Sequence, residues 1–340
     1  MSRGSRTAGL APLGFIAPAA LLIVATILTP IVMTGWISLH SWSLLTPITD
    51  MEWVGLDNYA QILRDPTFLR ALNNTLLFAA AIVAIGIPLA IGLAVLVHQG
   101  RVRGRGVVLT LLFTTYVIPT VAVALIWGYL LSPRGGPVNE ILKLVGIPAQ
   151  PWLGHPRTAL WSLVLLTIWQ YLGYFTTLLV AGLTQIPGDL YEASDLDGAG
   201  AGRKLWSITL PLLRRPLTFA TAICLINGLG VFDAVAVLTR GGPSDATNVV
   251  TFHAVRTAFD YGQAGRAAAM TMVLLVAVEL LVLRVLRRGL HGLQVEHDLL
   301  HRAGERVRRL ALVVHRRERD DPAQVVAPAR GRARTIGGPL

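Results

Sequence analysis

Charge is scarce in this 340-residue sequence. Asp, Glu, Lys and Arg make up only 14% of it and apolar side chains 53%, against roughly a quarter charged in an ordinary soluble domain. Such a balance does not furnish the usual water-facing surface; it fits a chain solvated mainly by lipid. Cysteine is nearly absent as well. The single Cys224 excludes an internal disulfide and leaves the redox compartment open, and its place inside an apolar run reads as a small buried thiol. The eight histidines, at 40, 98, 155, 253, 291, 297, 301 and 315, all fall outside the apolar runs defined below. No metal or haem ligand cluster at membrane depth is therefore expected, which sets aside an intramembrane metalloenzyme.

Long apolar stretches are what the chain has in abundance. About 20 helical residues cross a hydrocarbon core of ~30 Å, and six such spans are expected at 15–39, 75–97, 107–131, 160–183, 217–238 and 267–286. The fold class is all-α, a polytopic membrane protein. The first run is too long for a removable secretory signal and lacks a clean small-residue cleavage site after it. Pro18, Pro30, Pro88 and Pro119 fall in or near spans, where neighbouring helices can satisfy the carbonyls that proline frees, so local kinks are expected. The Gly86, Ala90, Ala94 row permits close helix contact and reads as packing.

Basic residues orient the chain. Arg3 and Arg6 precede the first span and no Lys or Arg follows until Arg64, which places the N-terminus in the cytoplasm. Six crossings return the C-terminus to the same side, with 22 of the 30 basic residues inside and eight outside. Keeping only Arg284, Arg287 and Arg288 from the long tail still leaves 12 against eight. The net charge of +11 thus follows from topology, and no nucleic-acid partner is expected. The expected divisions are a cytoplasmic N-terminus at 1–14, a six-helix membrane domain at 15–290, and a basic cytoplasmic tail at 291–340, partly disordered. In that tail Leu293, Leu300, Ala303, Val307, Leu310 and Val314 keep a helical spacing among many arginines. This is a basic amphipathic helix for anionic lipid or an ATPase, or else a solvated tail.

One cytoplasmic loop, 185–216, is too polar to cross the membrane. It reads Tyr191-Glu192-Ala193-Ser194-Asp195-Leu196-Asp197-Gly198-Ala199-Gly200-Ala201-Gly202 and then Ile208-Thr209-Leu210-Pro211. Pro187 precedes an acidic turn in which Asp189 is expected to cap a helix, with Glu192 three residues on completing a capping box. The glycines permit a sharp exit into a second helix leading back to the membrane. A phosphate-binding loop is not indicated, because Gly-Lys-Ser/Thr is missing and no strand precedes it.

This stretch resembles the EAA loop of bacterial ATP-binding-cassette importer permeases. Glu192, Ala193, Gly198, Ile208, Leu210 and Pro211 match its pattern, and Ser194 replaces the second alanine. The resemblance implies a coupling helix seated in a cleft of a separate ATP-binding subunit, with Glu192, Ala193, Ser194, Asp197, Gly198 and Ala199 at the contact. ATP and Mg would then lie on that partner, and this chain would be no enzyme and hold no cofactor or metal of its own. Further stretches narrow the likeness to carbohydrate-type permeases similar to the first maltose or glycerol-phosphate permease. They are Gly55-Leu56-Asp57-Asn58-Tyr59 with Asp65-Pro66 and Ala71-Leu72-Asn73-Asn74-Thr75, Leu238-Thr239-Arg240-Gly241-Gly242-Pro243, and Asp260-Tyr261-Gly262-Gln263-Ala264. Together the likeness covers residues 10 to 290. It implies half of a translocation pathway for a sugar or sugar-like solute in the bacterial cytoplasmic (inner) membrane. The implied partners are a second permease subunit, two copies of an ATP-binding subunit and an extracytoplasmic solute-binding protein. The competing reading, a secondary transporter or channel for a small polar solute, explains the helices but not the loop.

Sugar sites pair aromatic faces with hydrogen-bonding groups, and polar groups at membrane depth are costly enough to be informative. The substrate-pathway candidates are Trp169, Gln170, Tyr174 and Asn227. Gln170 and Tyr174 share a helix face, whereas Trp169 and Tyr171 point elsewhere. Each side chain also has an ordinary reading as bundle packing or interhelical hydrogen bonding. Members of the maltose type line their sugar site with polar residues on the helix after the loop, where this chain departs from them with Cys224 and Gly228, so the resemblance does not single out maltose as the solute. Glu279, near the inner end of the last span, is given no site role. Gly241-Gly242-Pro243 reads as a structural turn at the external mouth. The amphipathic stretch 57–74 is expected to lie along the outer membrane surface, within reach of a binding protein.

Overall fold

The computed structural model describes residues 11–99 and 104–289. Most of the expected segment 1–14, Arg101 and Arg103, and the whole tail 291–340 with its amphipathic spacing lie outside the described residues. Residues up to Leu286 form one compact unit, to which the elements below belong, the last turn of the final helix excepted.

The chain is helical almost throughout. Helix α1 covers residues 11–37 and leads into a two-stranded antiparallel pairing of β1 (His40–Ser41) with β2 (Glu52–Trp53), His40 opposite Trp53. Then come α2 (Asp57–Arg64) and the 33-residue α3 (Pro66–His98). Helices α4 (Arg105–Val117), α5 (Thr120–Leu130) and α6 (Pro137–Leu144) lead to α7 (Pro156–Leu183). After α7 come α8 (Gly188–Leu196) and α9 (residues 201–212). The chain continues through α10 (Arg214–Leu229), α11 (Asp233–Leu238), α12 (Val250–Phe259) and α13 (Ala264–Gly289). Proline sits in the first turn of α3, α6 and α7, where its missing N–H is no loss and its fixed φ suits the helix. Asp65 caps α3 by accepting from the Thr67 amide at 2.9 Å.

Prolines deeper in helices leave a different mark. Wider, π-helical turns occupy Val24–Leu28, Ile82–Gly86 and Leu205–Thr209, and each ends two residues before a proline: Pro30, Pro88 and Pro211. A proline ring clashes with the carbonyl four residues back and offers it no donor, so the turn widens and the bonding shifts outward. The Thr29 amide accordingly reaches Val24 O and the Leu210 amide reaches Leu205 O, five residues back in each case.

Among the described residues five helices are long and apolar enough to cross a membrane, and the bent pair α4–α5 makes a sixth when its two halves are counted as one span. The expected span 107–131 is not one helix: α4 and α5 meet at a 98° bend. Ile118, just before Pro119, is forced into extended backbone (φ −70°, ψ 131°), as residues before proline usually are. Alone, the 13 residues of α4 rise only about 20 Å. The expected span 217–238 is interrupted more gently at Gly230 to Phe232, between α10 and α11.

Helix α7 is the centre of the bundle. Its most apolar 18 residues are 61% buried inside the chain, against 0% for α1. Ala90 and Ala94 of α3 are fully buried with Leu163, Leu166 and Leu179 of α7, as the small-residue row anticipates. At Gly173 the backbones of α7 and α4 nearly touch, since a Cβ there would lie 1.9 Å from Leu112 O. Gly228 does the same for α10 against α3, where a Cβ would lie 2.9 Å from Ala79 Cα.

The structure divides the expected surface helix 57–74 between two helices. The stretch breaks at Asp65-Pro66; Phe68 and Ala71 belong to α3 and, with Ile62, are fully buried beside Val250, Ala254 and Met270. Ile62, Phe68 and Ala71 of that apolar spacing are thus covered by protein, while Leu56 and Leu63 stay exposed. Asn74 donates to Asp245 O and Asn248 O, both at 2.9 Å, and Thr75 Oγ1 accepts from the Val250 amide at 2.9 Å. These bonds hold the turn through Gly241, whose φ of +82° suits glycine, in the structural role read for it.

Candidate functional site

Two places carry the sequence candidates, the polar loop 185–216 and the interior of the bundle. In the loop, α8 starts two residues earlier than the capping argument expects. Pro187 is its N-cap and no side chain caps it. Asp189 lies instead inside the first turn, where a carboxylate still favours the helix dipole, and the capping box with Glu192 does not form. The far end follows a complete glycine-terminated cap: Gly198 adopts φ +70°, its amide bonds Asp195 O at 3.0 Å, and the Ala199 amide bonds Ser194 O at 2.9 Å.

Two cross-links fasten α8 to α9. Tyr191 Oη and Thr209 Oγ1 are 3.0 Å apart, and Lys204 Nζ pairs with Asp195. Ser194 Oγ donates back to Tyr191 O at 2.7 Å. The base of this hairpin is tight too, because Gly182 at the end of α7 leaves a Cβ only 2.7 Å from Cγ of Pro216 in α10. The arrangement is a short rigid arm joined at its root to two membrane helices. Its outer surface is bare: no residue of α8 is buried, Glu192, Ala193, Asp197 and Gly198 are exposed, and Leu196 is 91% exposed. Sequence reasoning missed Leu196 and the Tyr191, Asp195 and Lys204 fasteners. The signal was a leucine standing alone between two aspartates.

The interior candidates do not all converge. Trp169 faces out of the bundle, 41% exposed, with its ring edge-on to Trp127 at 5.7 Å. Gln170 is 2% exposed and works at the α4–α5 elbow, donating from Nε2 to Ile118 O at 3.1 Å and Thr120 Oγ1 at 3.2 Å. Thr115 Oγ1 donates to Gln170 O at 3.1 Å from the other side. The Gln170 Oε1 atom is buried with no partner among the described residues.

Tyr174 stacks on Tyr116 of α4, ring centres 4.6 Å apart, in a cluster that includes Tyr171 and Phe175. Asn227, half-buried on α10, donates to Ile223 O at 3.0 Å. It shares a narrow pocket with Tyr171, Thr167 and Cys224. This pocket holds about 10 Å³, the space of a single water at most, so α3, α7 and α10 are closed against one another here. Tyr174 and Asn227 therefore flank one aromatic cluster, while Gln170 and Trp169 lie apart from it. Tyr116 and Tyr171 were not among the pathway candidates; aromatics at 171, 174 and 175 on one helix were the available signal. Among the described residues no group of His, Cys, Asp and Glu is arranged to hold a metal.

The sequence profile described as "Binding-protein-dependent transport system inner membrane component" matches residues 86–292. A trehalose/maltose transport system permease of Thermococcus litoralis is 34% identical over 81% of this chain and 94% of its own length. A diacetylchitobiose uptake system permease of Streptomyces coelicolor is 31% identical over 77% of each chain. In fold, the chain is similar to a chain of a bacterial ABC transporter involved in import of the acidic polysaccharide alginate, with a TM-score of 0.70 at 23% identity over 82% of this chain and 94% of that one.

Proposed function

This chain belongs to the family of binding-protein-dependent transport system inner membrane components and is a multi-pass permease subunit of an ABC importer; on that premise we propose that loop 185–216 is its handle for a separate ATP-binding subunit. The observation that carries the proposal is Leu196, 91% exposed at the end of an arm that nothing among the described residues covers. Moving an exposed leucine from water into a partner's cleft is worth about 1.5–3 kcal/mol. Glu192, Ala193, Ser194, Asp197, Gly198 and Ala199 surround that contact. Displacement of α8 passes through the Tyr191–Thr209 and Asp195–Lys204 fasteners into α9, and through the Gly182–Pro216 contact into α7 and α10. The chain itself performs no chemistry, and ATP and Mg are held by the partner. A channel or secondary transporter has no use for such an arm.

The proposed solute is a sugar or sugar-like molecule. The named relatives of known cargo support this class, as does the cluster of Tyr116, Tyr171 and Tyr174 beside Asn227, which offers ring faces with hydroxyl and amide groups. In the proposed assembly this chain pairs with a second permease subunit, two ATP-binding subunits and an extracytoplasmic binding protein. The proposed location is the bacterial cytoplasmic membrane with both termini inside, on the distribution of Lys and Arg. Glu192→Ala and Gly198→Val in the assembled transporter test the handle. Binding-protein-stimulated ATP hydrolysis and uptake are expected to fall at least tenfold with the chain still in the membrane; uptake at the wild-type rate overturns the proposal.

A further inference from the structure

A groove of about 1230 Å³ opens between the last third of α3 and the hairpin formed by α8 and α9. Tyr191 and Asp195 of α8 and Ala199, one of the residues placed at the partner contact, also line it, whereas the aromatic cluster does not. Its lining changes character along α3. Pro88, Gly92 and Leu96 come first, then His98 and Gln99, with Lys204 and Asp195 facing them from the hairpin. Gly92 has no atom within 4 Å of the position its Cβ would take, so the helix backbone is bare along this lane. His98 Nδ1 is buried with no partner among the described residues. Trp206, 74% exposed, stands on the α9 side, and tryptophan is enriched at the membrane–water boundary.

We propose that this groove binds one anionic phospholipid of the cytoplasmic leaflet. An acyl chain lies along Pro88, Gly92 and Leu96, and the phosphate is met by Lys204 and His98. The inference rests on the cytoplasmic placement of the hairpin proposed above. The gradient favours a lipid: the lane is apolar along α3 and charged at the boundary, where Lys204 is shared with Asp195 and the surplus positive charge comes from the bordering arginines, whereas a neighbouring transmembrane helix would bring apolar side chains against the polar end as well. Charge agrees, since Arg203 and Arg105 are also exposed in the segments bordering this end, and basic pockets between helices on the cytoplasmic side are where acidic headgroups are held. A lipid in this position touches both α3 and α9, so it props the coupling arm against the bundle and makes transport depend on headgroup.

The test uses the assembled transporter in nanodiscs containing brominated phosphatidylglycerol or brominated phosphatidylcholine. The readout is the Trp206 fluorescence, taken as the difference between the wild type and Trp206→Phe. Severalfold stronger quenching by phosphatidylglycerol is expected, with the preference lost in Lys204→Gln and quenching by either lipid reduced in Gly92→Leu, whose side chain enters open space. No Trp206 quenching, quenching without headgroup preference, or behaviour that either substitution leaves intact overturns the proposal. Co-purification of an ATP-binding subunit is scored on the same discs, so failure of the importer assembly and failure of the lipid site give different results.

Discussion

The side-chain amide of Gln170 lies 3.1 Å from the main-chain oxygen of Ile118, so the central helix closes the gap that Pro119 opens in its neighbour. Proline contributes no donor and bends the chain, leaving a carbonyl exposed inside an apolar bundle, where an unpaired polar group is costly. Gln170→Leu should therefore destabilise the chain by about 1–3 kcal/mol, the cost of a buried acceptor left unmade. A lowered melting temperature of the purified chain in detergent checks it, with Gln170→Glu as a partner variant that keeps the size but cannot donate when ionised.

Gly173 and Gly92 should respond in opposite directions to the same change. At Gly173 an added methyl meets Leu112 O at 1.9 Å, a backbone atom that moves only with all of α4, so Gly173→Ala should cost at least 1–3 kcal/mol, roughly the penalty for overpacking. At Gly92 nothing stands in the way, and Gly92→Ala should stabilise the helix by about 0.5–1 kcal/mol. Thermal melts of the two variants beside the wild type decide this.

Asp65 both caps α3 and faces Arg266, whose Nη2 is 3.6 Å from Oδ2. The ion pair is partly exposed, so most of its worth is screened. Asp65→Ala should cost about 1 kcal/mol, the usual loss for a helix cap, and Asp65→Asn should recover most of it. A ranking in which Asn is no better than Ala would assign the stability to charge instead.

His253 gives the packing around α12 a pH dependence. It is buried in α12 with Nε2 unpartnered among the described residues. Burial holds its pKa below the ordinary 6.5; Asp65 and Asp245 pull the value up and Arg256 and Arg266 push it down to a lesser extent. The unfolded chain then binds the proton more readily than the folded one, so stability is full above about pH 6.5 and declines as pH falls through the lowered folded value. Melting temperatures between pH 7.5 and 5 should drop more steeply for the wild type than for His253→Phe.

The crossings were legible because long apolar runs have few other uses, and the polar hairpin because its glycines and acidic residues keep a fixed order. The sharpness of the elbow was not. Ile118-Pro119 announces a kink, but the 98° angle depends on Gln170 and Gly173, more than fifty residues away, supplying a donor and a gap. The same holds for 57–74, where helical spacing reveals an apolar face without saying whether lipid or Val250 and Met270 will cover it. Glu192 to Ala199 could be read as a motif, whereas the fasteners Tyr191–Thr209 and Asp195–Lys204 join residues 18 and nine apart and appear only when the hairpin closes. Tyr116 joins Tyr174 across two helices, a pairing that no local pattern contains.

The most direct test of the coupling arm uses the nearly cysteine-free sequence, whose one thiol, Cys224, is buried. Leu196→Cys in the assembled transporter is treated with a short bifunctional thiol reagent, against cysteines placed one at a time along the cleft of the ATP-binding subunit. The account predicts a cross-linked product between the two chains whose yield changes when ATP is added. Absence of any product from residue 196, in a complex where the ATP-binding subunit is demonstrably present, contradicts it.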